Sequence, residues 1–239
     1  MLSKTLTRAS LAVVVLVVAA CSSVVPWGNE TIGGEVNLAF TIENNLLFLT
    51  TATIDGRPGR YFFGSAEARS VVDPALVQRL GGPRRGRRLN LNQRESIAIQ
   101  PVEIDLRGVG EAIVGADAWG KHAVTIDYRS GLVTMQKEGI HPEYMTLWRY
   151  AAEPAIAVNV DGREVLAVVD TASPDTLVLP GKPGRGNARV RVGTTDFGAV
   201  DVGYANVAQP RIGNRLLSKF LVTIDYGRRQ VGLWRDPRL

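Results

Sequence analysis

The chain has 239 residues, of which 45% are hydrophobic and 21% charged, with a formal net charge of +5 and a single cysteine. That is enough apolar material for a sizeable core, too mild a charge excess to argue for nucleic acid, and no second thiol for a disulfide. With only His122 and His141 beside Cys21, no zinc-ligand set can be assembled, and nothing in the sequence implies a cofactor or metal.

The first eight residues, MLSKTLTR, carry Lys4 and Arg8, and Leu11 to Ala20 reads LAVVVLVVAA without a polar residue. A spanning helix needs about 20 apolar residues, so this shorter run fits the apolar core of a secretory signal. Val18-Ala19-Ala20-Cys21 then resembles the bacterial lipobox. The resemblance implies that residues 1–20 are a lipoprotein signal peptide and that Cys21 takes a diacylglyceryl thioether, with palmitate among its acyl chains. Two or three chains anchor firmly where one is marginal, so the expected place is the bacterial cell envelope, membrane-held and facing periplasm or exterior. The alternative is a plain secretory signal or an uncleaved anchor in which Cys21 is incidental. Loss of Lys4 and Arg8 lowers the charge from +5 to +3.

Residues 21–34 read as a tether, since SSVVPWGNETIGG has a proline, two terminal glycines and no sustained period. From Glu35 onward the segments are short and rich in Val, Ile, Thr and Phe, as in VNLAFTI, LLFLTTATI, RYFF, AIAVNV, EVLAVV and FLVTI. Asp-Gly and Gly-Pro signals separate them, which predicts strands and hairpins, with helix only around Pro74 to Leu80 and just after Gly115 and Gly213. GGPRRGRRLN gathers Arg84, Arg85, Arg87 and Arg88 into a predicted solvated loop, contact with anionic lipid being the weaker reading. No aromatic residues interleave with these arginines to stack bases, so no nucleic acid is expected. His122 reads as a surface residue ahead of a strand, and PGKPGRGNARV as a turn that lacks the P-loop pattern. No Gly-x-Ser-x-Gly elbow occurs.

Val-Thr-Ile-Asp-Tyr is written twice, at Val124–Tyr128 and Val222–Tyr226. A shift of 98 residues superposes these segments and also aligns Val114-Gly115 with Ile212-Gly213 and Lys121 with Lys219. Upstream, a shift of 106 aligns Ile54-Asp55-Gly56-Arg57 with Val160-Asp161-Gly162-Arg163 and runs ungapped through RYFFGSAEARSVVDP against LAVVDTASPDTLVLP. The chain therefore divides into an N-terminal unit at 35–135, a linker at 136–150 and a C-terminal unit at 151–239. Asp127 and Asp225, each between Ile and Tyr, read as turn caps.

The order of the second copy resembles one lobe of the aspartic peptidases, retropepsin-like and pepsin-like. It runs from an Asp-Gly hairpin and two apolar strand residues through Asp170-Thr171-Ala172-Ser173 to Ile212-Gly213 and a closing TIDY hairpin. The resemblance covers the chain after the tether. It implies an all-β, bilobed aspartic-peptidase (acid protease) fold, two pseudo-twofold-related lobes with a few short helices, complete in one chain and hence a monomer. A flap would come from the region 95–113.

In that family each lobe supplies one Asp, and two carboxylates that close share one proton. The ionised member takes a proton from an attacking water while the protonated one donates to the carbonyl oxygen. Here Asp170 is the one dyad member that survives, because the alignment puts Gly64 opposite it, Ser65 opposite Thr171, Ala66 opposite Ala172 and Glu67 opposite Ser173. The resemblance implies that the hydroxyls of Ser65 and Thr171 bond across the lobes. Alanine replaces the signature glycine in both copies, and Asp73 falls at an Asp-Pro helix start. The leading expectation is a catalytically impaired, lipid-anchored homologue whose cleft binds an extended peptide or protein segment as an added strand. The alternatives are an active endopeptidase, through a homodimer or through Glu67 as substitute carboxylate, and a purely structural envelope lipoprotein.

Overall fold

A computed structural model describes residues 33–137 and 145–235. The signal segment, Cys21, most of the tether and linker residues 138–144 lie outside the described residues. The first half contains β1 (Val36–Glu43), β2 (Leu46–Leu49), β3 (Thr53–Ile54), β4 (Tyr61–Phe63), β5 (Val71–Val72), α1 (Pro74–Arg79), β6 (Arg87–Asn90), β7 (Ser96–Ile99), β8 (Val102–Glu103), β9 (Ala112–Val114), α2 (Ala116–Trp119), β10 (Ala123–Asp127) and β11 (Leu132–Gln136). The second contains β12 (Thr146–Arg149), β13 (Ala155–Val160), β14 (Arg163–Val169), β15 (Leu177–Pro180), β16 (Gly184–Val192), β17 (Thr195–Ala205), β18 (Arg211–Ile212), α3 (Asn214–Leu217), β19 (Leu221–Asp225) and β20 (Gln230–Trp234). Among the described residues the protein is all-β with three short helices, and those helices stand where the sequence predicts them.

The alternation of β1 buries Val36, Leu38 and Phe40 on one face, the period of a half-buried strand. In β2 every residue is buried because both faces are covered, Leu47 and Leu49 by the main core, Leu46 and Phe48 by a smaller second cluster. The Asp-Gly hairpins turn as written, with Asp55 at φ 49 and Gly56 at φ 78, and Asp161 at φ 50 and Gly162 at φ 83. Asp73 caps α1 by accepting from Ala75 N at 2.9 Å, with Pro74 at the first helical position.

Strand pairing repeats between the halves. In the first, β4 runs parallel to β9, β9 antiparallel to β5, and β5 parallel to β8. In the second, β14 runs parallel to β18, β18 antiparallel to β15, and β15 parallel to β17. The halves join in a continuous stretch of sheet ordered β12-β20-β19-β10-β11-β1, where β10 and β19 meet antiparallel with Thr125 opposite Thr223. The order is symmetric about that central pair.

Several expectations are corrected. Arg87 does not lie in a solvated loop: it is 4% exposed in β6, and its guanidinium bonds Asp55 Oδ2 at 2.8 Å, Leu80 O at 3.2 Å and Gly82 O. His122 is buried, not on the surface. The region 95–113 is not one hairpin: it holds β7, which pairs back with β6, then β8 and the start of β9, and residues 104–111 form the loop from β8 to β9. In PGKPGRGNARV only residues 181–183 turn, since β16 starts at Gly184. The end of the linker is β12, paired with β20.

Candidate functional site

Two equivalent loops follow β4 and β14 and meet between the halves. Each is pinned by the same backbone bonds. Gly64 N donates to Val114 O at 2.9 Å and Asp170 N to Ile212 O at 3.0 Å. Ala116 N donates to Glu67 O at 2.7 Å, and Asn214 N to Ser173 O at 2.9 Å. These contacts explain Gly115 and Gly213: a Cβ on Gly115 would stand 2.8 Å from Glu67 O, and one on Gly213 2.7 Å from Ser173 O. Close approach, not unusual φ, selects glycine there.

Ser65 and Thr171 cross between the loops. Ser65 N donates to Thr171 Oγ1 at 2.9 Å and Thr171 N to Ser65 Oγ at 3.0 Å. The hydroxyls pass their protons on, Ser65 to Val169 O at 2.5 Å and Thr171 to Phe63 O at 2.9 Å. Both residues are fully buried, so all four groups need these partners.

The repeated tyrosines brace the same loops from the opposite half. Tyr226 donates to Ser65 O at 3.0 Å, and burial pushes its pKa well above the ordinary phenol value. Tyr128 donates to Asn214 Oδ1 at 2.8 Å, and Asn214 Nδ2 donates onward to Thr171 O at 2.6 Å. The asparagine relay carries no sequence signature beyond its place after Gly213. Asp127 and Asp225 cap turns, accepting from Arg129 N at 2.9 Å and Arg228 N at 2.7 Å.

Asp170 is 1% exposed and both its oxygens are engaged. Oδ1 accepts from Ala172 N at 3.0 Å, and Oδ2 accepts from Arg211 Nη1 at 2.8 Å. Arg211 is itself buried, with Glu153 Oε1 4.0 Å from its other terminal nitrogen. Burial works against its charge, but Asp170 and then Glu153 and Glu67 outweigh that and raise its pKa. Arg211 was not among the residues expected at the site. The signal that could have found it is the 98-residue shift, which places this cation opposite the apolar Ile113.

Gly64 faces no aspartate of its own half, and a side chain there would find the space taken. A Cβ on Gly64 would collide with Glu67 Oε2 and Ile113 Cγ2. Burial, followed by repulsion from Asp170, pushes the Glu67 carboxyl up to about 8. A neutral Glu67 beside the Asp170–Arg211 pair is the arrangement this implies at neutral pH.

Beside these groups lies the second apolar cluster. Leu46, Phe48, Phe62 and Ala172 are buried in it, and Leu106, Val109 and Ile113 pack on it half-buried. Ala172, where the peptidase signature has glycine, thus contributes its methyl to an apolar contact between the halves. Leu166 in β14, four residues before Asp170, is 54% exposed. No His, Cys, Asp and Glu grouping among the described residues could hold a metal ion. No protein-family model matches the chain, and no curated protein matches it.

Proposed function

We propose that the chain is a two-lobed relative of the aspartic peptidases that does not hydrolyse peptides and instead binds an extended segment between its lobes. On this reading it is held at the bacterial envelope through lipidated Cys21. The observation that carries the loss of hydrolysis is the Arg211 guanidinium on Asp170 Oδ2. A general base must be free to take a proton from water, and both oxygens of this carboxylate already accept from stronger or fixed donors. Repeated strand pairing and the Ser65–Thr171 crossing support the two-lobed family reading.

Binding is supported by apolar side chains that stay partly open to solvent beside the buried charges: Leu106, Val109 and Ile113, packed on the cluster that holds Ala172. A site of this kind takes apolar side chains of an extended ligand and aligns it by backbone hydrogen bonds. The test uses the full chain purified in detergent with a diverse peptide library, from acid to neutral pH. Peptide capture without cleavage, weakened by Val109→Asp, is expected; cleavage by the wild type that Asp170→Asn abolishes would overturn the proposal. Labelled palmitate entering the wild type and not Cys21→Ser tests the anchor.

A further inference from the structure

Gly64 is the position that a shift of 106 residues places opposite Asp170, and Glu67 stands three residues beyond it. The Glu67 carboxyl reaches back into the volume that a side chain at 64 would occupy. Its Oε2 is shielded from solvent and has no hydrogen-bond partner among the described residues. Among charged neighbours, Asp170 acts on it most strongly. Arg211 in turn holds the one oxygen of Asp170 that is not tied to backbone.

We propose that Glu67 supplies the first-lobe carboxyl that Gly64 no longer carries, and that Arg211 keeps the resulting Glu67–Asp170 pair from hydrolysing peptide. The proposal rests on the reading of the interlobe cleft as a peptide site. Arg211 is where the repeat breaks its own symmetry, since its counterpart Ile113 packs beside Gly64. Arg211→Ile restores that symmetry and frees Asp170 Oδ2.

The released pair has what the reaction needs. Asp170 takes a proton from water while the water oxygen bonds to the peptide carbonyl carbon, and Glu67 gives its proton to the carbonyl oxygen. The tetrahedral diol then collapses as the C–N bond breaks. Asp170 hands its proton to the leaving amine and a diol hydroxyl returns one to Glu67, so one water is consumed and both carboxyls are regenerated.

The test compares full-length wild type, Arg211→Ile, Arg211→Lys and the double variants Arg211→Ile/Glu67→Gln and Arg211→Ile/Asp170→Asn on a peptide library at mildly acidic pH. Wild type and Arg211→Lys should be silent, and Arg211→Ile should cleave about 100-fold faster than either double variant. An Arg211→Ile protein that captures peptide but cleaves no faster than its double variants overturns the assignment and leaves the binding reading standing. Absence of both capture and cleavage in every variant overturns the binding reading and the assignment with it. If Arg211→Ile does not fold, carboxyl-carbon NMR of Glu67 decides: its midpoint should fall by more than about one pH unit in Asp170→Asn, as a coupled pair requires. An unchanged midpoint overturns the assignment.

Discussion

Thr125 and Thr223, 98 residues apart in sequence, face each other across β10 and β19 with their hydroxyls 2.9 Å apart. This is the point about which the repeat turns, and each position of the doubled pentapeptide serves it. Val124, Ile126, Val222 and Ile224 enter the core, the threonines bond one another, the aspartates cap turns and the tyrosines brace the opposite loop. Thr125→Val alone should cost about 1 kcal/mol, because it strands the Thr223 hydroxyl in a part-buried place. Thr125→Val/Thr223→Val should recover much of that loss, so urea midpoints around the four-variant cycle should be non-additive.

Ser65→Ala should be more costly. It leaves Thr171 N without its acceptor and Val169 O without its donor, both in fully buried surroundings. A loss of about 2–4 kcal/mol is expected in chemical denaturation, with Thr171→Ala similar because it strands Ser65 N and Phe63 O. Thr171→Ser keeps the hydroxyl and should stay within about 1 kcal/mol of wild type.

Asp170→Leu should destabilise by about 3–5 kcal/mol, since it leaves Arg211 a buried cation without its closest partner. Asp170→Leu/Arg211→Met should regain most of the loss, as apolar replacement of both members of a buried pair does elsewhere. A surface ion pair would contribute under about 1 kcal/mol, so a small single-variant effect would show that the pair is open to water.

The scaffold was legible in the sequence for local reasons. Asp-Gly turns, the Asp73-Pro74 cap and the apolar-apolar-Gly motifs are set by neighbouring residues, and the shifts of 98 and 106 align loops that the fold pins in the same way. The Asp170–Arg211 pair was not, because its members are 41 residues apart and their contact depends on a long side chain lying along a strand pair. Glu67 was legible only as an alternative carboxylate. Alignment sets it opposite Ser173, whereas its side chain extends back to Gly64. Arg87 misled through composition, as a run of arginines reads as solvated until one of them finds carbonyls and a carboxylate within reach.

Glu67 also sets a dependence of stability on pH. Its pKa, near 4.5 when unperturbed, is raised to about 8 in the folded protein, by burial first and then by Asp170 and Glu153, with Arg211 opposing. Between those values the folded chain holds a proton that the unfolded chain has released, so stability falls as pH rises through the window. The contribution is fully present below the unfolded value and lost above the folded one. Asp117, raised mainly by burial, has the same sign, whereas Asp55 and Asp127 are lowered and contribute loss of stability only in acid. Glu67→Gln keeps the shape without the proton, so its melting temperature should pull above that of the wild type as pH passes from 6 to 9. For a chain of this size about 1 kcal/mol corresponds to about 2–4 °C, and a gap of several degrees at the alkaline end is expected. Parallel melting curves for the two proteins across that range would mean that Glu67 faces water rather than Asp170.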